Sequence, residues 1–200
     1  MTRIDAPTVA EHREMVRTRL IDAAEAILRS GPDGQLTASA VTSEAGIARN
    51  SIYRYVDTVD DLRGMVVNRY LPDWMTAVAA AMSSATTAQD RIATWVRANL
   101  EQAAETGHGW LMEAARTPTP NASVDDSVAQ AHTGMRDALT EAWCELLPSD
   151  ADRVPVAVGL TVGLLDAGFR QIDRGRPAEL VVQMGTAAAQ ALVLGLQVEE

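Results

Sequence analysis

An all-α fold follows from three observations on this chain. Polar capping residues recur ahead of runs in which apolar side chains return every three or four positions. Alanine is abundant, and aromatics make up only 4% of the residues. No run alternates apolar and polar residues as a half-buried strand does. A chain of 200 residues accommodates a small unit and a larger one. The expected architecture is an N-terminal three-helix unit over residues 1–58 and a larger helical domain over 59–200.

Each element has its own signal. Met1 to Pro7 reads as a loose arm. Thr8-x-x-Glu11 is a capping box, so a helix starts near Val9, with Val16, Leu20, Ala24, Ile27 and Leu28 as its buried stripe. Gly31-Pro32-Asp33-Gly34 ends it. Thr37 caps a short helix with Ala40 and Val41 on its apolar side. Ala45-Gly46-Ile47 is a tight turn in which Gly46 is free to take positive φ. A second short helix follows, on which Ile52 and Val56 pack inward. Thr58-x-x-Asp61 caps the next helix, with Leu62, Met65, Val66 and Arg69, and Pro72 is expected to bend or break it. Thr86-x-x-Gln89 opens a helix through Ile92, Trp95, Val96 and Leu100 that stops near Gly107. A short helix containing Trp110-Leu111-Met112 ends before Pro118 and Pro120. Ser123-x-x-Asp126 opens a long helix through Met135, Leu139, Trp143 and Leu147, stopped by Pro148. Another starts near Asp150 and ends at Gly175. Pro177 suits the first turn of the last helix, which runs to about Val198.

The stretch from Thr37 to Leu62 has the form of a helix-turn-helix, whose second helix enters the DNA major groove. Arg49, Asn50, Ser51, Tyr53, Arg54 and Tyr55 occupy that second helix, and no acid lies between Ala45 and Val56. Arg donates two hydrogen bonds to guanine, and Asn pairs bidentately with adenine. Ser, Thr and Tyr hydroxyls bind phosphates, which sets register rather than sequence. The DNA-binding set is therefore Thr37, Arg49, Asn50, Ser51, Tyr53, Arg54 and Tyr55.

From Arg17 to Leu62 the chain resembles the TetR (tetracycline-repressor-like) family of bacterial transcription regulators. The resemblance is carried by Arg17 to Ala26, Val41, Ala45-Gly46-Ile47, Ile52-Tyr53-Arg54-Tyr55 and Asp60-Asp61-Leu62. Beyond Leu62 only the helical pattern is compatible. Three positions depart from the family pattern. Ala48 replaces the usual Ser cap, a loss of roughly 0.5–2 kcal/mol. Val56 replaces a Phe, and Val59 replaces a Lys that contacts phosphate. The resemblance implies a ligand-binding and dimerisation domain over residues 59–200, a homodimer, a DNA operator, and a small-molecule effector of unknown identity. It implies a repressor released from DNA by that effector.

Every basic side chain is Arg, so every charged phosphate contact must come from Arg. The formal charge of −10 is unlike that of a generic nucleic-acid binder. Its distribution helps: residues 1–70 hold nine Arg against ten acids, and 71–200 hold eight against seventeen. An acidic rear domain repels DNA and so selects orientation. Cys144, the only cysteine, excludes an intrachain disulfide and reads as a small core residue. The N-terminus lacks a signal-peptide core. The most apolar region, Val154 to Phe169, is too short and interrupted to span a bilayer. A cytoplasmic protein with no membrane partner is expected.

The last two helices are apolar around much of their circumference, more than one core-facing stripe requires. Gly159, Gly163 and Ala167 form a smooth ridge, as do Ala187, Ala188 and Ala191, and these six are the expected dimer interface. A packed monomer core is the competing account. Trp74, Met75, Trp95, Trp110, Met112, Met135 and Phe169 lie between reading head and seam. The candidate ligand-binding set is Trp74, Trp95, Trp110, Met112, His132, Met135 and Phe169, with His108 a further polar neighbour. As a set these residues indicate an apolar or amphipathic effector only through the family resemblance. No metal-ligand spacing, nucleophile elbow or phosphate loop is present, so no metal, cofactor or catalytic residue is expected. The competing readings are a helical ligand-binding or protein-interaction dimer with weakened DNA binding, and a small bundle enzyme.

Overall fold

The computed structural model describes residues 8–31, 35–115 and 122–197, and of 122–132 the backbone alone. Expectations for Met1–Pro7, Pro32-Asp33-Gly34, Pro118, Pro120 and Val198 lie outside the described residues, as do the side chains of Ser123, Asp126 and His132. Among the described residues there are eight α-helices, one 3-10 helix and no strand. The chain divides into two compact units, residues 1–69 with 113–125 and residues 70–112 with 126–200.

In the first unit, α1 (Val9–Arg29) opens on the capping box read from sequence. The Glu11 N–H donates to Thr8 Oγ1 at 3.2 Å, and the Thr8 N–H donates to Glu11 Oε2 at 2.6 Å. The backbone donor, then the hydroxyl, hold the Glu11 carboxyl below its ordinary range. Thr37 caps α2 (Ala38–Glu44), and a 3-10 helix spans Arg49–Arg54. The first turns of α3 (Asp61–Ser83) complete the unit. Leu20, Ala24, Val41, Ile52, Leu62 and Val66 are wholly buried in its core. Arg69 on α3 reaches two carboxylates of α1, Asp22 at 2.7 Å and Glu25 at 2.9 Å. Burial lowers the Arg69 pKa, but the bonds and charges of Asp22 and Glu25 together outweigh it and raise the value. These contacts hold residues 59–69, assigned from sequence to the second domain, with the first unit.

The second unit takes α3 from Tyr70 onward, α4 (Ala88–Thr106), most of α5 (His108–Ala115) and α6 (Ala122–Leu146), then α7 (Arg153–Asp173) and α8 (Ala178–Gln197). Pro72 does not break α3, which continues to Ser83. The proline leaves the Asn68 carbonyl without its helical donor, but Leu71 and Trp74 on either side are buried, and that packing carries the helix through. The cap of α4 is Thr87 rather than Thr86: its Oγ1 accepts from the Asp90 N–H at 3.0 Å. The one-residue shift lets Ala88, Ile92 and Ala93 face the core. The long α6 starts at Ala122, placing Ser123 inside the first turn rather than at the cap. Asp150 Oδ1 accepts from the Arg153 N–H at 3.2 Å ahead of α7, and the Pro177 carbonyl accepts from Val181 at the start of α8. Cys144 is exposed, correcting its core assignment. Its neighbour Trp143 takes the buried side and donates Nε1 to Thr161 Oγ1 at 3.1 Å.

One close approach fixes this packing. Leu100 of α4 is wholly buried, and a Cβ added at Gly168 of α7 or Gly185 of α8 would each lie 2.5 Å from one of its methyls. By contrast, Gly159 and Gly163 face open space, where a Cβ meets nothing within 4 Å. Ala187, Ala188 and Ala191 are exposed too, and Ala167 is half-buried. Val156, Leu160, Leu180, Met184 and Leu194 stand out as exposed large apolar side chains on the same two helices. The most apolar helix is α8 rather than α7: an 18-residue window there has mean hydropathy 1.4 and is only 11% buried within the chain.

Gly185→Ala should lower stability by about 1–3 kcal/mol, the usual cost of overpacking, because Leu100 has glycine on both sides and cannot retreat. Chemical denaturation checks this. Adding Leu100→Ala to Gly185→Ala should cost less than Leu100→Ala costs the wild type, the non-additivity expected of residues in contact.

Candidate nucleic-acid interface and ligand cavity

The helix-turn-helix is built from local bonds. Thr37 Oγ1 accepts from the Ala40 N–H at 3.2 Å, leaving the hydroxyl proton available. Gly46 adopts φ 65°, the left-handed conformation that reverses the chain, and the Ile47 N–H donates back to the Thr42 carbonyl at 3.0 Å. The second helix is where the structure departs from expectation. Arg49–Arg54 is 3-10 rather than α-helical, and Ala48 gives it no side-chain cap. A short segment without a cap leaves its first N–H groups unbonded, and tightening to i→i+3 bonds satisfies some of them.

The tighter winding regroups the side chains. At three residues per turn, Asn50 eclipses Tyr53, and Ser51 eclipses Arg54. Ile52 is wholly buried and Val56 nearly so. Arg49, Asn50, Tyr53 and Arg54 are exposed, and Ser51 and Tyr55 are half-buried. Among the described residues neither the Arg49 nor the Arg54 guanidinium makes an ion pair. Sequence reasoning missed Arg13. From α1 its Nη2 donates to the Arg54 carbonyl at 3.3 Å, tying down the end of the 3-10 segment. A bond across forty-one positions leaves no local signal in the sequence.

The start of α3 completes this surface. Thr58 and Asp61 bond reciprocally, Asp61 Oδ2 accepting at 2.7 Å and Thr58 Oγ1 at 3.2 Å. Asp60 pairs with Arg63 at 3.3 Å. Between them Val59 is half-buried and offers no charge.

The second unit encloses a cavity of about 270 Å³. Trp74, Trp95, Met112, Met135 and Phe169 from the expected set line it. Trp110 does not: its Nε1 donates to the Thr106 carbonyl at 2.7 Å, and its ring meets Tyr70 edge-on at 5.5 Å. The side chain of His132 lies outside the described residues. The sequence also missed Asn99, Arg136 and Asp166, which join Leu71, His108, Leu111, Val162 and Leu165 in the lining.

Asn99 organises the deep wall. It is almost wholly buried, accepts from Trp74 Nε1 at 2.9 Å and donates to the Trp95 carbonyl at 2.8 Å. Trp95 Nε1 in turn donates to the Met135 carbonyl at 2.9 Å. Both indole N–H groups are thus spent within the protein, and both side chains are buried, Trp74 6% and Trp95 4% exposed. His108 stacks on Phe169 at 4.0 Å, with Nδ1 3.2 Å from Asp173 Oδ2. Phe169 also meets Trp74 edge-on at 6.2 Å. A polar residue inside an apolar helical stripe was the available signal for Asn99. A wider trough of about 830 Å³ runs between α4 and α8, but it is open to solvent, with the Arg97–Glu101 ion pair along its α4 side. Among the described residues no group of three or more His, Cys, Asp or Glu has metal-binding geometry.

The fold is that of TetR-type transcriptional regulators. A TetR transcription regulator from Haloarcula marismortui superposes with a TM-score of 0.69 at 15% identity, covering 91% of this chain and 98% of that one. The transcriptional regulator FadR from Bacillus subtilis, solved with stearoyl-CoA, gives 0.66 at 18% identity, covering 89% and 98%. A superantigen, PfiT, gives 0.68 at 18% identity, covering 88% and 95%. No family model and no curated protein matches the sequence.

Replacing Val59 by Lys adds a phosphate-seeking charge beside acids that already have partners. In a two-fold complex, Val59→Lys should steepen the salt slope of DNA binding by roughly 2. Specific and random DNA should both bind more tightly. An unchanged slope in a folded variant would show that position 59 faces away from the backbone.

Proposed function

We propose that this protein is a dimeric, sequence-specific DNA-binding transcriptional regulator controlled by a small molecule that occupies the cavity of its second unit. The observation that carries this reading is the exposed set of Arg49, Asn50, Tyr53 and Arg54 on a helix-turn-helix, with neither guanidinium in an ion pair among the described residues. Arg49 and Asn50 read base edges; Thr37, Ser51, Tyr53, Arg54 and Tyr55 set register on the phosphates. The head covers residues 1–58 and the effector and dimerisation domain residues 59–200, with α3 running in both of the compact units. No catalytic step is assigned, and the protein acts in the cytoplasm.

A second copy covers the apolar outer faces of α7 and α8, with Gly159, Gly163, Ala167, Ala187, Ala188 and Ala191 allowing close approach. This reading accounts for the low burial of α8 without invoking a bilayer. Two-fold pairing presents two heads to half-sites about 34–36 Å apart. The effector acts on α3, which carries Leu71 and Trp74 in the cavity wall and Arg69 in the first unit. It works as a repressor's inducer: by preferring the geometry that no longer fits DNA, it shifts the equilibrium only as far as its differential affinity. The alternative, a ligand-binding or protein-interaction dimer with weak DNA binding, is favoured by the uncapped 3-10 reading segment. A fold shared with a superantigen keeps it in view.

Two measurements test the proposal. In shift assays with the protein's own upstream DNA, Arg49→Ala should cost about 1–3 kcal/mol and relax sequence preference. Tyr53→Phe should weaken all sites alike. Intact operator choice in Arg49→Ala would remove the base-reading assignment. In sedimentation, wild type should be dimeric at micromolar concentration, and Gly163→Leu should be monomeric while retaining its helical circular dichroism. A folded Gly163→Leu dimer would exclude this seam.

A further inference from the structure

Opposite charges face the same cavity without meeting. Arg136 of α6 and Asp166 of α7 both line it, and among the described residues neither makes an ion pair, so they lie more than 4.0 Å apart. The rest of the lining offers no competing free charge. His108 is held against Asp173, and the amide of Asn99 and both indole N–H groups are used within the protein. We propose that the effector is a compact aromatic zwitterion, its ring against Phe169 where Trp74 and Trp95 close the cavity, its anionic group on Arg136 and its cationic group on Asp166. This rests on the cavity being the effector site.

The charges argue for both signs at once. A purely anionic ligand would pair with Arg136 but bring its charge toward Asp166; both side chains are exposed, so water screens that repulsion without cancelling it. A purely cationic ligand meets the same opposition from Arg136. A ligand carrying both groups gains an attraction at each side chain. The walls argue for the ring. Phe169 is half-buried and already takes one stacked and one edge-on ring contact, and an aromatic ligand extends that set. The volume argues for compactness: about 270 Å³ lies just under the range of roughly 300–1,000 Å³ for clefts that take drug-sized ligands.

Three probes sharing one ring system separate the contributions: L-tryptophan, tryptamine, which lacks the carboxylate, and indole-3-propionate, which lacks the amine. Calorimetric titration of the full chain should give L-tryptophan at least about tenfold tighter binding than either. Arg136→Gln should abolish the advantage over tryptamine, and Asp166→Asn the advantage over indole-3-propionate. Both side chains are exposed, so the variants should keep the wild-type melting profile. Tryptamine or indole-3-propionate binding as tightly as L-tryptophan overturns the dipolar assignment. No binding of any probe overturns the aromatic zwitterion class. Shift assays run in parallel keep the two readings apart. DNA binding without the ligand preference defeats only this inference, and the preference without DNA binding defeats only the regulator.

Discussion

The second unit depends on the close approach of three helices at Leu100. Glycine at 168 and at 185 lets α7 and α8 press against the two methyls of one α4 leucine. That contact consumes the inward faces of both helices. What remains of their apolar surface points outward, where Gly159 and Gly163 meet nothing and Leu160, Met184 and Leu194 are exposed. The core and the exposed apolar face are thus two consequences of one placement. A glycine at position 159 does nothing for the isolated chain, whereas one at 168 is required by it.

The same helix sets the cavity. Asn99 adjoins Leu100, so fixing the leucine also fixes the amide that holds Trp74 and aligns beside Trp95. A buried amide with unmet groups would be costly, and here both ends are satisfied. In the deep wall both indole N–H groups and both ends of the Asn99 amide are bonded, and the available charges sit on Arg136 and Asp166. The wall supplies shape, and those two residues supply the discrimination.

Much of this was legible in the sequence because it is written in local chemistry. The capping pairs Thr8–Glu11 and Thr58–Asp61, the Thr37 cap and the positive φ of Gly46 all depend on neighbours within a few positions. Pro72 does not break its helix because its local cost is outweighed by the burial of Leu71 and Trp74, which is tertiary and has no local signal. Trp110 looked like a cavity residue from its size, but a backbone carbonyl one turn away captures its indole. Of the candidate reading residues, the sequence specified identity but not winding. The missing cap at Ala48 was visible, and its consequence, a 3-10 rather than an α-helical segment, was not. Arg136 and Asp166 were unremarkable surface charges until their helices brought them to one enclosure.

Size constrains how such an effector would work. Weakening operator binding a hundredfold requires about 2.7 kcal/mol of differential ligand affinity between the two states. A ligand small enough for about 270 Å³ has few atoms with which to supply it. Contributions near 0.3 kcal/mol per heavy atom, typical of larger ligands, would exhaust most of its total affinity. Two features ease this demand. In a dimer each of two cavities need contribute only about 1.4 kcal/mol, a tenfold preference. Charged contacts are also more sensitive to geometry than apolar ones, because bond strength falls steeply with misalignment. Arg136 and Asp166 stand on different helices, so a small displacement of α6 against α7 changes the fit of both ends of a dipolar ligand together. A purely apolar ligand lacks those directional contacts, so its preference between the two geometries would rest on shape alone.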